Sequence, residues 1–332
     1  MRTRSGSTPG ARSRLVASGA EDAPARSGRA GADGSRTSGA WFPRTYWPSF
    51  TLPASIWLAV FFVLPFYVVL SVAFGTVDPL FRTPLPVYQP WWWSFATFSD
   101  TLQKFVGRDA IYLDPLIRTL LYVVAASAIC LVVGYAVAYY TARHAGRYRG
   151  LILVLLISPF WISYLMRIYS WQSLLQPDGY INDIAGIFGV VPIDWLAGKP
   201  VTVILGLVYG YIPFMILPLF GFLDRIDVSV LEAGRDLGAG ALETFRRITL
   251  PLSKPGILAG VVIVSLPMFG DYYTNDLLGS DRTSMYGNLI DNAVGQAGQG
   301  PEAGSLVLIL IAIVIIPMLY YLRSTRRATE AS

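Results

Sequence analysis

The chain has 332 residues, 54% of them hydrophobic and 14% charged, with a mean hydropathy of +0.50, against about 25% charged residues in an ordinary soluble domain. That balance excludes a soluble enzyme, a collagen and a disulfide scaffold, and the long charge-free intervals are those of repeated bilayer crossings. The net charge of +5 builds no basic face, because the arginines crowd the first 44 positions or flank apolar segments, so nucleic acid is not an expected partner.

Residues 1–45 read as a disordered basic tail on the cytoplasmic side. Within the first 40, seven Arg, seven Gly and seven Ser surround only Met1, Leu15 and Val16 as apolar residues larger than alanine, too few to bury a core. The tail lacks the apolar core of a secretory signal, so it is expected to be retained, with membrane lipid as its one prospective contact. A transmembrane domain follows over 50–325, with apolar segments at 52–74, 119–142, 151–175 (interrupted by Arg167), 200–223, 256–273 and 303–322. At 1.5 Å per residue each spans, or nearly spans, the roughly 30 Å hydrocarbon core. The predicted fold is therefore all-α and integral to a membrane, with six transmembrane helices.

Basic residues set the orientation. If both termini and the loops after helices two and four share one side, that side holds 19 of the 26 basic residues, whereas the three opposite loops, Asp271 included, hold 12 of the 21 acidic ones. Positive charge stays on the cytoplasmic side, so both termini are predicted there. Cys130, the only cysteine, lies inside the second apolar segment and reads as a buried packing thiol. His144, the only histidine, sits in a basic inner loop, so no metal cluster and no Ser/His/Asp arrangement is expected.

Residues 224–254, DRIDVSVLEAGRDLGAGALETFRRITLPLSK, are too long and too patterned for a mere connector. Ser229-Val-Leu-Glu232 has the form of a capping box opening a short helix, and Gly238 suits the left-handed position that ends one. A second helix is predicted from Ala241 to Thr249, with Ala241, Phe245 and Ile248 on one face and Glu243, Arg246 and Arg247 elsewhere. Pro251 and Pro255 are expected to stop it before the membrane. The product is a helix–turn–helix that presents charge and an apolar stripe to a cytoplasmic partner.

This loop resembles the EAA loop of ATP-binding-cassette importer permeases. It carries Glu232-Ala233-Gly234, then Gly238, Ile248, Leu250 and Pro251 at the family's spacing, with Asp236 between. Gly234 stands where the family usually has Ala, which is expected to loosen the first helix by up to about 1 kcal/mol. The resemblance implies a type I importer permease fold in a bacterial inner membrane, partnered by a cytoplasmic ATPase dimer and a second permease subunit. The chain has no G-x-x-x-x-G-K-[ST] phosphate loop, so ATP and Mg²⁺ would sit on the partner ATPase and this chain would not itself be an enzyme. Glu232 would either cap its own helix or bridge to that ATPase.

Two further stretches are similar to the spermidine/putrescine permeases within that family. One is Ser158-Pro-Phe-Trp-Ile-Ser-Tyr-Leu-Met-Arg167-Ile-Tyr-Ser-Trp171; the other is Gly270-Asp271-Tyr-Tyr-Thr-Asn-Asp276-Leu-Leu-Gly279. The resemblance implies a polyamine cargo delivered by an extracytoplasmic binding protein. Permeases for ferric iron, opines and phosphonates carry variants of these stretches and are the alternative within the class. Polyamines need carboxylates for charge and aromatic faces for ammonium and methylene groups, and Asp271, Asp276, Tyr272 and Tyr273 offer both. The two aspartates would lie about 140° apart on one helix, so they converge only if the backbone leaves the helix between them. Otherwise Asp271 caps a broken helix or pairs with a basic group such as Arg167. Tyr169 and Trp171 are either part of an aromatic lining or interfacial anchors, and Trp91–Trp93 either rest on the membrane or meet a binding protein. A secondary transporter would want internal repeats and midplane carboxylates, and no repeat joins the two halves.

Overall fold

Apolar runs this long have no use for a globular core, and the chain folds into long helices. The computed structural model describes residues 46–107 and 110–330; the basic tail expected over 1–45 lies outside the described residues, as does Arg108. The chain divides into two compact units at Leu58. Of the first, residues 46–58 are described and form the opening of α1 (Tyr46–Ala73). In the second unit, every α1 side chain from Ala59 to Phe66 is exposed.

Three helices hold the core: α3 (Leu113–Arg143), α7 (Pro200–Asp224) and α11 (Lys254–Phe269). Ala126, Cys130, Leu207, Met215, Leu219, Val264 and Met268 bury themselves completely between them. Cys130 is thus a packing residue whose thiol points at the Val208 carbonyl, 3.7 Å away. At one end of this core Arg149 pairs with Asp224 at 3.2 Å and Arg143 Nη2 donates to the Leu223 carbonyl at 2.8 Å. At the other, α14 (Gly300–Glu330) is tied by an ion pair from Lys104 of α2 (Ala96–Val106) to Glu302. There too Tyr286, opening α13 (Tyr286–Gly295), donates its amide to Thr119 Oγ1 at 2.7 Å. We call these the loop end and the far end.

Among the described residues four helices are each long and apolar enough to cross a bilayer, and counting two sharply bent pairs as one crossing each gives up to six. The bends correct the expected spans. The third is not one helix: α4 (Arg149–Ile157) runs into a 3₁₀ turn at Ser158–Trp161, breaks at Ile162 and Ser163, and resumes as α5 (Tyr164–Leu174) at 87°. Pro159 is the cause, since it has no N–H for Leu155 and its ring crowds that carbonyl; the Ser158 hydroxyl donates to the Leu155 carbonyl instead, at 3.0 Å. The fifth span ends at Phe269, short of the expected 273, where Gly270 and Asp271 leave the helix before α12 (Tyr273–Leu278) begins.

In the first loop at the far end, Trp93 stacks on Phe74 with centroids 5.0 Å apart and donates its indole N–H to the Val87 carbonyl. Trp91 and Trp92 stay exposed beside a short hairpin, β1 (Thr76–Val77) against β2 (Pro84–Leu85). The 176–199 loop carries α6 (Tyr180–Ile187), where buried Asn182 holds the turn by bonding Gln176, Pro177 and Ile193.

Candidate functional site

At the loop end the 224–254 segment forms α8 (Val228–Asp236), then α9 (Ala241–Thr244), a π turn at Phe245–Thr249 and α10 (Leu250–Leu252). The expected capping box at Ser229 does not form. Asp227 is the N-cap instead, its carboxylate accepting from the Ser229 amide at 3.0 Å. These hydrogen bonds from Ser229 hold the exposed Asp227 carboxyl below its ordinary range. A carboxylate two residues earlier is the better cap for the helix's positive end, which leaves Ser229 inside the first turn.

Gly238 takes φ +86, the left-handed position reserved for residues without a Cβ penalty. Around it Ala239 N–H reaches the Gly234 carbonyl and Gly238 N–H the Arg235 carbonyl, at 3.1 and 2.8 Å, the paired bonds of a Schellman stop. Gly234 does not act as a weak point. A Cβ there would stand 2.5 Å from Ile248 Cδ1, so its absence lets α8 and the second helix touch. Pro251 does not end the second helix either. Leu250 N–H reaches back five residues to the Phe245 carbonyl, and this widened turn comes just before Pro251, which has no N–H to offer Arg247. The chain then bends by 62° into α11, with Pro255 in its first turn.

The expected apolar stripe is therefore divided. Phe245 points inward, edge-on to Tyr135 and Tyr139 of α3 at 5.6 and 6.1 Å. Tyr135 in turn shares a hydrogen bond with buried Ser253 at the bend, 3.0 Å away. Ile248 and Leu250 are half-buried. The surface left open is a different one: Leu237 at 89% exposure and Leu242 at 70%, with Ala233, Ala241 and Pro251. Glu232, Asp236 and Arg246 are exposed around it, and Arg247 pairs with Glu243 at 3.2 Å. Glu232 caps nothing and makes no ion pair among the described residues.

At the far end the break after α11 does separate the aspartates from a common helix. Asp271, 6% exposed, is saturated within the chain. Its Oδ2 accepts from the Tyr164, Thr274 and Tyr211 hydroxyls at 2.7, 2.9 and 3.0 Å, and its Oδ1 caps α12 by accepting from the Thr274 amide at 3.0 Å. Asp276 is exposed and accepts from Asn288 Nδ2 at 2.6 Å; the same amide also donates to the Tyr272 carbonyl. Partial desolvation and then the Asp291 charge push Asp276 above the ordinary carboxylate range, against the pull of that hydrogen bond. The Tyr272 and Tyr273 rings lie 4.0 Å apart beside it, Tyr273 exposed. The structure thus brings Asp276, Tyr272 and Tyr273 to a surface and places Asp271 behind them. Trp171 packs edge-on to Tyr209 at 5.3 Å, and Tyr169 is exposed; neither touches the aspartates.

Arg167 does not pair with Asp271 or any other acid among the described residues. Its guanidinium lies 4.0 Å from the Phe160 ring centre. Sequence reasoning also missed Tyr211, Thr274 and Asn288, which no linear spacing connects to Asp271 or Asp276.

Comparison with known proteins adds a frame to this geometry. A family model described as "Binding-protein-dependent transport system inner membrane component" matches residues 52–328. Over 273 residues the chain is 35% identical to the spermidine/putrescine transport system permease protein PotB of Escherichia coli (strain K12), covering 81% of this chain and 94% of that one. It is 33% identical to the protein of the same name from Haemophilus influenzae, covering 81% and 91%. Among solved structures, a chain of the bacterial alginate ABC transporter in complex with alginate pentasaccharide-bound periplasmic protein superposes with a TM-score of 0.67 at 17% identity, over 85% of this chain and 94% of that one; what is shared there is the fold.

Proposed function

We propose a polyamine cargo for this chain, which belongs to the family of binding-protein-dependent transport system inner membrane components. It is an inner-membrane importer permease, a transport subunit and not itself an enzyme. The observation that carries the cargo is the 35% identity running over 94% of a spermidine/putrescine permease. The far end supports it chemically: an exposed carboxylate, Asp276, beside the paired rings of Tyr272 and Tyr273 suits an ammonium group and its methylenes.

In this reading the loop end is cytoplasmic and the far end faces the extracytoplasmic binding protein that delivers spermidine or putrescine. Asp276 and Tyr273 make the contact, Tyr272 backs it, and Asp271 fixes the backbone break that displays them. Tyr169 and Trp171 on α5 are further aromatic contacts along the path. A cytoplasmic ATPase dimer supplies ATP and Mg²⁺ and docks on the Leu237–Leu242 surface. Glu232, Asp236, Arg246 and Arg247 ring that surface, and apolar centres with polar rims are what such docking uses. Nucleotide-driven closure then moves α8 and the second helix, and Phe245 passes the motion to α3. With a second, similar permease this gives alternating access.

The test is ATP hydrolysis by the reconstituted complex with loaded binding protein, comparing spermidine, putrescine and ferric iron. Stimulation by a polyamine and not by iron, weakened in Asp276→Asn with the complex intact, is expected. Stimulation by iron alone overturns the cargo and keeps the importer.

A further inference from the structure

Arg167 is the one charged side chain of the third span, and the structure leaves it unanswered. It is 8% exposed, stacked 4.0 Å from the centre of the Phe160 ring and within 5.5 and 5.7 Å of the Tyr164 and Tyr209 ring centres, yet its Nε and Nη1 have no hydrogen-bond partner. Asp271 lies beyond Tyr164, held by three hydroxyls and an amide. Beside the guanidinium opens a pocket of about 400 Å³ lined by Phe160, Ser163, Tyr164, Gly210 and Tyr211. Into it points the start of α5, whose N-cap Ser163 gives no side-chain cap to the first turn.

Depth decides what can fill it. Gly210 and Tyr211 stand near the middle of the 25-residue α7, so the pocket lies about 15 Å from either membrane face, out of reach of lipid phosphates. Irregular backbone at that depth exists only against protein or a water-filled cavity, and an intramembrane guanidinium calls for a counter-charge. The rim is nevertheless open, with Trp161 80% exposed and Ile162 and Met166 also exposed. The helix N-terminus and the guanidinium that face the pocket both seek an anion, and a planar carboxylate matches the fork best.

We propose that Arg167 and the open first turn of α5 receive an aspartate or glutamate side chain from the second permease subunit, so that this pocket is a docking point between the two permeases at mid-membrane. The proposal rests on the reading that a second permease pairs with this chain.

The experiment uses the assembled transporter purified from cells expressing all its subunits. A photo-crosslinking residue in place of Trp161 or Met166 is expected to capture the second permease. Arg167→Glu is expected to lower both the second permease retained and polyamine uptake by at least about tenfold, Arg167→Lys by less because it lacks the fork, and a Lys replacing the partnering acid should rescue Arg167→Glu. Crosslinks to lipid alone, or an Arg167→Glu transporter that assembles and imports like the wild type, overturn the proposal. If Arg167→Glu fails to accumulate, the crosslinks in the otherwise unchanged chain decide. A second permease that co-purifies and is not captured sinks this docking point and leaves the pairing standing; a wild-type chain that retains no second permease sinks both.

Discussion

The two ends of the molecule are built in opposite ways. At the loop end the working parts lie within about thirty residues of each other, from the Asp227 cap through the Gly238 stop to the Phe245 turn and Ser253, and the surface they display is open. At the far end Asp271 takes two of its hydrogen bonds from nearby Thr274 and two from Tyr211 and Tyr164, 60 and 107 residues away on α7 and α5, and is closed. The difference teaches that an exposed loop surface can be carried by local order, whereas a buried acid is held by the whole fold. Damage should therefore separate: far-end changes strike stability first, and loop-end changes strike coupling.

The sharpest break is Asp271→Ala. It removes the shared acceptor of the Tyr164, Tyr211 and Thr274 hydroxyls, leaving Tyr211 without that partner and Tyr164 and Thr274 with only each other, and removes the amide bond at the start of α12, so a loss of about 3 kcal/mol is expected, measured as thermal unfolding of the purified complex. Asp271→Asn keeps the side chain's size and one acceptor oxygen, with an NH2 donor where the other oxygen stood, and should cost less than Asp271→Ala. An Asp271→Ala complex that melts with the wild type would show that the network holds nothing.

Next in size is Phe245→Ala, which empties the contact between the second helix and α3. About 2 kcal/mol of stability is expected to go, less than for a deeply buried Phe because the ring is half-buried. The larger effect is functional: ATP hydrolysis should continue while polyamine uptake falls, the signature of a broken transmission. Leu237→Ser sharpens the contrast from the other side of the same loop. Its side chain is 89% exposed, so unfolding should move by no more than about 0.5 kcal/mol, while retention of the ATPase on a pull-down drops several-fold.

The same contrast explains what the sequence disclosed. The apolar runs announced the crossings, and the Gly238 and Leu-Pro spacing announced the loop, because each depends on residues near in sequence. Asp227 and Ser229 are two polar residues two positions apart that compete for the cap, and only geometry chooses. Phe245 was placed on the outer stripe because helical periodicity says which residues share a face without saying which face turns inward. Gly234 looked like a weak helix residue until Ile248 was found against it. The far end was half-legible: the acids and tyrosines marked polarity, whereas the bend at Pro159 lies inside an apolar run that reads as one span. What Asp271 bonds to required α5, α7 and α11 to be assembled. The alternative in which Asp271 pairs with Arg167 fails for the same reason, since Tyr164 contacts both.

The smallest effect tests the comparison most finely, because the carboxylates at the two ends are shifted in opposite directions. Asp227 is held low by its hydrogen bonds from Ser229. Its contribution to stability is present above the ordinary carboxylate pKa of about 3.9 and is lost as pH falls through its lower folded value. Asp276 is pushed up by desolvation and by Asp291. The folded chain holds that proton more tightly than the unfolded one, so this site costs stability as pH rises through the window between about 3.9 and its raised value, and the cost persists at neutral pH. Asp276→Asn should therefore slightly stabilise the complex at pH 7 while weakening polyamine use, the trade expected where a charge is kept for binding. In the wild type the KM for spermidine should rise a few-fold as pH is lowered through that raised value, with the amines still protonated. Asp291→Asn should move that rise to lower pH and Asp276→Asn should flatten it. A KM that is flat in the wild type, or that rises equally in Asp276→Asn, would remove Asp276 from the path and leave it a structural partner of Asn288.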